Sequence, residues 1–205
     1  MSAAMSAAGF PLDEAEADAI AELFNIGMGQ PAAALSDMLG EEVHLSVPAL
    51  SVSSRGRIAG EVGPETEGRV CAVREAFTGP FAGEAMLIFP VSGGLALVRR
   101  LIPGEGDTPG ADEQDALTEI GNIILNGCLA SFANLVEGEI EGGVPDYRAG
   151  PAGQLIGVAD DPVLFVRIDV ALAAGDARGH ALFLLDIASL DAFRLAIRRM
   201  MEGLG

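Results

Sequence analysis

Asp18, Glu22, Asn25 and Pro48 recur in the same order and spacing as Asp115, Glu119, Asn122 and Pro145. Both copies read Asp, three residues, Glu, two residues, Asn, twenty-two residues, Pro, and they lie about 97 residues apart. The flanks echo one another, with DAIAELFNI at 18–26 set against DALTEIGNI at 115–123. On an α-helix the acid, acid and amide fall at i, i+4 and i+7, so they share one stripe. The amide, with two donors and an acceptor, can hold a water molecule in one orientation.

Several chemistries fail against this stripe. Glycoside hydrolysis needs two acids across a sugar cleft with one pKa raised, whereas two acids on one exposed helix make no cleft. Metal binding lacks ligands, because His44 and His180 are isolated and Asn is a weak companion to two carboxylates. The chain has no GxSxG, no HExxH and no phosphate-cradling Gly-rich loop. All twelve basic residues are Arg. The absence of Lys removes a P-loop lysine, a Schiff-base lysine and a Ser–Lys pair together. Phosphoryl transfer remains open, since it asks mainly for positioning and charge stabilisation. A phosphoprotein that brings its own metal and lysine needs only an ordered water and a docking contact.

Composition narrows the partners. With 205 residues, half of them hydrophobic and a fifth charged, the chain can bury a substantial core. Its net charge of −18 argues against nucleic acid or an anionic membrane as partner. Cys71 and Cys128 have neither ligand nor disulfide spacing and read as reduced core thiols. The opening MSAAMSAAGF lacks a positive region and a long apolar stretch, so it does not read as a secretory signal. The most apolar run, 81–98, is interrupted by Glu84 and Pro90 and is too broken to span a bilayer. A cytoplasmic monomer is expected.

The elements that must carry the stripes follow from periodicity. Residues 12–27 predict an amphipathic helix, loosened by Gly27 and Gly29, with Pro31 opening a second helix that ends before Gly40. A strand over 42–47 leads to Pro48, and a polar, Gly-containing stretch runs to about 68. Strands are expected over 70–77 and 81–89, then a helix over 92–102. The acidic Gly/Pro run at 103–111 reads as a linker between halves of about 12–102 and 112–202 in a single duplicated domain. In the second half, helices over 113–125 and on to Val136 precede a short strand before Pro145. Strands over 163–173 and 179–186 follow, then a helix over 187–201 containing Arg194, Arg198 and Arg199. Three hairpin-connected strands per half predict an α+β fold with an antiparallel sheet of about six strands.

The doubled motif resembles that of the CheC/CheX/FliY family of bacterial chemotaxis phosphatases, and the order of elements extends the resemblance across essentially the whole chain. Two intact copies are most similar to CheC, whereas CheX-like chains carry one functional copy. The resemblance implies hydrolysis of the aspartyl phosphate on a response-regulator receiver domain such as phosphorylated CheY. It implies that Asn25 and Asn122 orient the attacking water while Glu22 and Glu119 pair with the regulator's lysine. Asp18, Asp115, Pro48 and Pro145 would support the site. No cofactor would be intrinsic, with Mg²⁺ arriving bound to the phosphorylated regulator. A non-catalytic docking role is the alternative, as in FliM-like switch proteins, and a CheD-type deamidase is a further partner the resemblance allows. The copies depart at Phe24 against Gly121, and at Gln30-Pro31 against Gly127-Cys128.

Overall fold

The computed structural model describes residues 14–46, 49–65, 69–80, 82–136 and 138–186, with helical positions at 195, 198, 199 and 202. Before Met28, the described side chains are those of Asp18 and Glu22. The first half runs α1 (Glu14–Leu39), β1 (Val43–Leu45), β2 (Ala49–Ser54), α2 (Arg55–Glu65), β3 (Arg69–Thr78), β4 (Gly83–Pro90) and α3 (Val91–Val98). The second runs α4 (Ala111–Val136), β5 (Glu141–Gly142), β6 (Asp146–Pro151), α5 (Ala152–Ile156), β7 (Pro162–Leu172) and β8 (Arg178–Asp186). The predicted closing helix over 187–201 falls outside the described residues apart from the isolated positions named above.

The fold is α+β, and its antiparallel sheet is six strands wide in the order β1-β7-β8-β4-β3-β5. Two further strands lengthen the edges, β2 beside β7 and β6 beside β3. The expected three strands per half are therefore four. The stretch read as polar up to residue 68 contains β2 and α2, and β6 and α5 occupy the matching place in the second half. Gly56, Gly60 and Gly63 disguise α2 at the level of propensity, but Ile58, Ala59 and Val62 are buried along it. Burial of that face outweighs the weak local preference.

The pairs of helices expected at the start of each half are single 26-residue helices. Pro31 lies inside α1 instead of opening a new helix. Gly40 ends α1 as expected, with φ of +65° and Glu41 N–H donating to the Ser36 carbonyl at 3.3 Å. The helix expected over 92–102 stops at Val98 and continues as turns.

Helices cover both faces of the sheet, so the inner strands read as continuous apolar runs instead of alternating ones. On one face Val73, Phe77, Leu87, Phe89, Val166 and Phe183 pack with Leu35, Ile124 and Phe132 of α1 and α4. Phe132 meets Phe183 edge-on with ring centroids 5.2 Å apart. On the other face Val70, Met86, Ile88, Phe165 and Leu184 pack with Ile58 and Val62 of α2 and Ile156 of α5. Residues 111–134 of α4 are long and apolar enough by composition to cross a bilayer, yet half of that stretch is buried inside the protein. Its hydropathy is that of a core helix.

Candidate functional site on two helix stripes

The N-terminus of α4 is set by Glu113, the third residue of the helix. Its Oε2 accepts from Gly110 N–H at 2.8 Å, and its Oε1 accepts from Arg99 Nε at 2.9 Å. A glutamate reaching back to the residue before the helix satisfies one of the free N–H groups at that end. The Gly110 N–H and then the Arg99 guanidinium hold the Glu113 carboxyl below the usual carboxylate range. Arg99 also donates to the Gly106 carbonyl at 2.7 Å, so the acidic connection between the halves is tied to the helix it precedes. This anchoring fixes the rotational phase of α4, and with it the direction of the stripe.

From that start, Asp115 and Glu119 stand exposed on successive turns and Asn122 is half-buried beyond them. Gly121 lets the helix lie close to the sheet at this point. A Cβ there would stand 2.5 Å from Val73 Cγ1 of β3. Asn126, one turn past Asn122, extends the stripe, and its Nδ2 donates to Asn122 Oδ1 at 2.7 Å. Sequence reasoning missed Asn126, although its position four residues after Asn122 was the available signal. Gly142 of β5 lies against Asn126, since a Cβ on Gly142 would stand 3.3 Å from Asn126 Oδ1. From Gly142 the chain passes through Val144, which is 90% exposed, to the half-buried Pro145.

On α1, Asp18 and Glu22 are likewise exposed on successive turns. The Asn25 backbone is helical, while its side chain and Pro48 lie outside the described residues. Thus α4 brings Asp115, Glu119 and Asn122 onto one surface, and α1 does so for Asp18 and Glu22.

Several arginines are committed elsewhere. Arg55 and Arg74 pair with Glu84, Arg99 with Glu113, and Arg100 with both Glu41 and Asp176. Among the described residues no ion pair engages Asp18, Glu22, Asp115 or Glu119. Nor is there a group of three or more His, Cys, Asp or Glu side chains among them placed to hold a metal. The site therefore presents unpaired carboxylates beside an amide whose carbonyl end is held from within the helix.

Residues 16–52, which contain the first copy of the motif, match the CheC-like family. The chain is 29% identical over 136 residues to the flagellar motor switch phosphatase FliY of Bacillus subtilis (strain 168), covering 63% of this chain and 34% of that protein. It thus spans about a third of the length of that relative. It is 25% identical over 154 residues to the CheY-P phosphatase CheC of the same organism, covering 71% of each. The fold is similar to that of Thermotoga maritima FliY, with a TM-score of 0.72 at 16% identity over 93% of this chain and 99% of that one. It is also similar to the FliM middle domain from H. pylori (TM-score 0.65, 13% identity, 90% and 99% covered). A third solved likeness is the CheX-CheY-BeF3-Mg²⁺ complex from Borrelia burgdorferi (TM-score 0.54, 15% identity, 80% and 96% covered). Motif, sequence relatives and fold agree in one likeness: the chain is similar to the CheC-like proteins.

Proposed function

We propose that the protein hydrolyses the aspartyl phosphate of a response-regulator receiver domain, phosphorylated CheY or one like it. The observation that carries this reading is the stripe of α4, where the exposed, unpaired Asp115 and Glu119 stand beside the half-buried Asn122, with its motif repeated on α1. Two relatives named as phosphatases support it, one of them for phosphorylated CheY.

In this reading the phosphorylated regulator and its bound Mg²⁺ together are the substrate. Asn122, and Asn25 in the other copy, enters the regulator's site and orients a water in line with the phosphorus. The water oxygen forms the new bond to phosphorus, and the bond to the aspartyl oxygen breaks with its electron pair left on the aspartate carboxylate. Inorganic phosphate departs carrying the water's oxygen, and the excess proton passes to phosphate or solvent. Glu119 and Glu22 pair with the regulator's lysine, so the acids supply docking and the amides supply the ordered water. Exposed carboxylates with no ion pair among the described residues are suited to that role.

A docking platform without catalysis is the second reading, favoured by the fold shared with FliM. The decay of phosphorylated receiver with and without the protein separates the two. Asn25→Ala with Asn122→Ala should abolish the acceleration and leave the circular dichroism spectrum unchanged, each single variant retaining the other site. Glu22→Gln with Glu119→Gln should chiefly raise the regulator concentration needed for half-maximal rate. Unchanged decay in the doubly substituted Asn variant would refute the mechanism, and a parent that never accelerates decay would favour the platform.

A further inference from the structure

Asp115, Glu119, Asn122 and Asn126 occupy one face of α4, and Asn126 is the member that no part of the repeated motif requires. Its side chain is exposed and spends a donor on Asn122, Nδ2 to Oδ1 at 2.7 Å. That bond has a chemical consequence. The last torsion of an asparagine side chain is broad and roughly two-fold, so a free amide readily exchanges its oxygen and nitrogen ends. A donor placed on Oδ1 favours one of the two arrangements. It occupies one lone pair of Oδ1 and leaves the other lone pair and both N–H donors of Asn122 available to a water or phosphoryl group.

The first copy lacks this partner. Gly29 stands where Asn126 stands in the second, at the same offset from the motif asparagine. It is exposed, and a Cβ built on it would meet nothing within 4 Å among the described residues. None of the described residues therefore excludes a side chain there. Around Asn126 the surroundings are closer, because Gly142 of β5 approaches its Oδ1 from the sheet side.

We propose that Asn126 is a positioning residue that locks the Asn122 amide in its working orientation, and that Gly29, having no side chain, cannot supply the same lock to the first site. The proposal rests on the phosphatase reading and deepens it, by making the two sites unequal in maximal rate. Docking is untouched, because Glu119 and Glu22 are the same residue type in the two copies.

The test isolates each site. With Asn25→Ala present, Asn126→Ala should lower the maximal rate about tenfold, while the half-saturating regulator concentration stays within about twofold. Asn126→Gln keeps a donor and should recover part of that rate; Asn126→Asp offers only acceptors when ionised and should behave like Ala. With Asn122→Ala present, Gly29→Asn should raise the maximal rate of the first site several-fold. The free protein gives an independent readout. NMR side-chain ¹⁵N relaxation should show the Asn122 amide more rigid than that of Asn25, and Asn126→Ala should remove the difference. An Asn126→Ala variant with unchanged rate and an unchanged Asn122 amide overturns the lock but leaves the phosphatase reading standing. Loss of affinity instead of rate also overturns it. Retained acceleration in the Asn25→Ala, Asn122→Ala variant defeats both.

Discussion

Glu75 lies in β3 at 3% exposure, with neither carboxylate oxygen hydrogen-bonded. Its Oε2 is 3.6 Å from the point where a Cβ on Gly142 would stand, so it lies beneath the strand that flanks Asn126. Burial without a partner penalises the charged form and pushes its carboxyl up from 4.5 to about 7. The native protein therefore keeps a proton that the unfolded chain has already released. The contribution of Glu75 to stability is fullest below about pH 4.5, declines as the pH rises towards about 7, and is level beyond. Glu75→Gln removes this titration. Thermal melts of the parent and Glu75→Gln should show the variant gaining on the parent between about pH 5 and about pH 8, the comparison cancelling the shared repulsion of the acidic surface. A gap independent of pH would mean that Glu75 titrates like an exposed glutamate.

Two helices cross beside the candidate sites, and their contact rests on unlike residues. Cys128 Sγ of α4 lies 3.3 Å from Met28 Sδ of α1, both buried. One residue earlier, Gly127 leaves the space that the Pro31 ring fills, since a Cβ there would stand 2.0 Å from Pro31 Cγ. A proline inside a helix gives up one backbone hydrogen bond and crowds the preceding turn. Here its ring is also the knob that seats α1 on α4, which accounts for the mismatch of Gln30-Pro31 with Gly127-Cys128. Gly127→Ala should lower stability by about 1–3 kcal/mol in urea unfolding, because neither the ring nor the helix backbone can yield cheaply. Adding Pro31→Ala should recover most of that loss. Additive effects of the two substitutions would show that they do not meet.

Across the whole molecule the halves exchange their edge strands. β2 pairs with β7 from Ala49↔Arg167 to Ser54↔Pro162, and β6 pairs with β3 from Arg69↔Pro151 to Arg74↔Asp146. β4 and β8 join the halves at the centre. Arg100 adds a polar tie, donating to Glu41 at 3.0 Å and to Asp176 at 2.7 Å. Each half thus supplies a strand that the other needs to cover its long hairpin, and separation would leave exposed edges. Fragments 1–102 and 112–205, produced separately, should lack cooperative unfolding transitions, and mixing them should restore one. A cooperative transition in either fragment alone would show that the exchanged strands are dispensable.

The amino-acid order by itself determined the stripes. Three polar residues at i, i+4 and i+7 share a helix face whatever surrounds the helix, because that periodicity is local. The long hairpin strands β3, β4, β7 and β8 were legible for a similar reason, being apolar runs bounded by turn residues. Where the copies differ, local reasoning went astray. Pro31 reads as a helix start until Gly127 is seen to accept its ring, and Gly29 looks like a mere loosening of the helix until Asn126, at the matching place, is seen to donate to Asn122. β2, α2, β6 and α5 were hidden because their preferences are weak and their stabilising partners lie in the opposite half or on the far face of the sheet. Glu75 reads as one acid among thirty, and only the layers packed around it single out its carboxyl. Side-chain type and local period can be read along the chain, whereas burial, close approach and strand exchange are properties of residues far apart in it, and only the tertiary structure decides them.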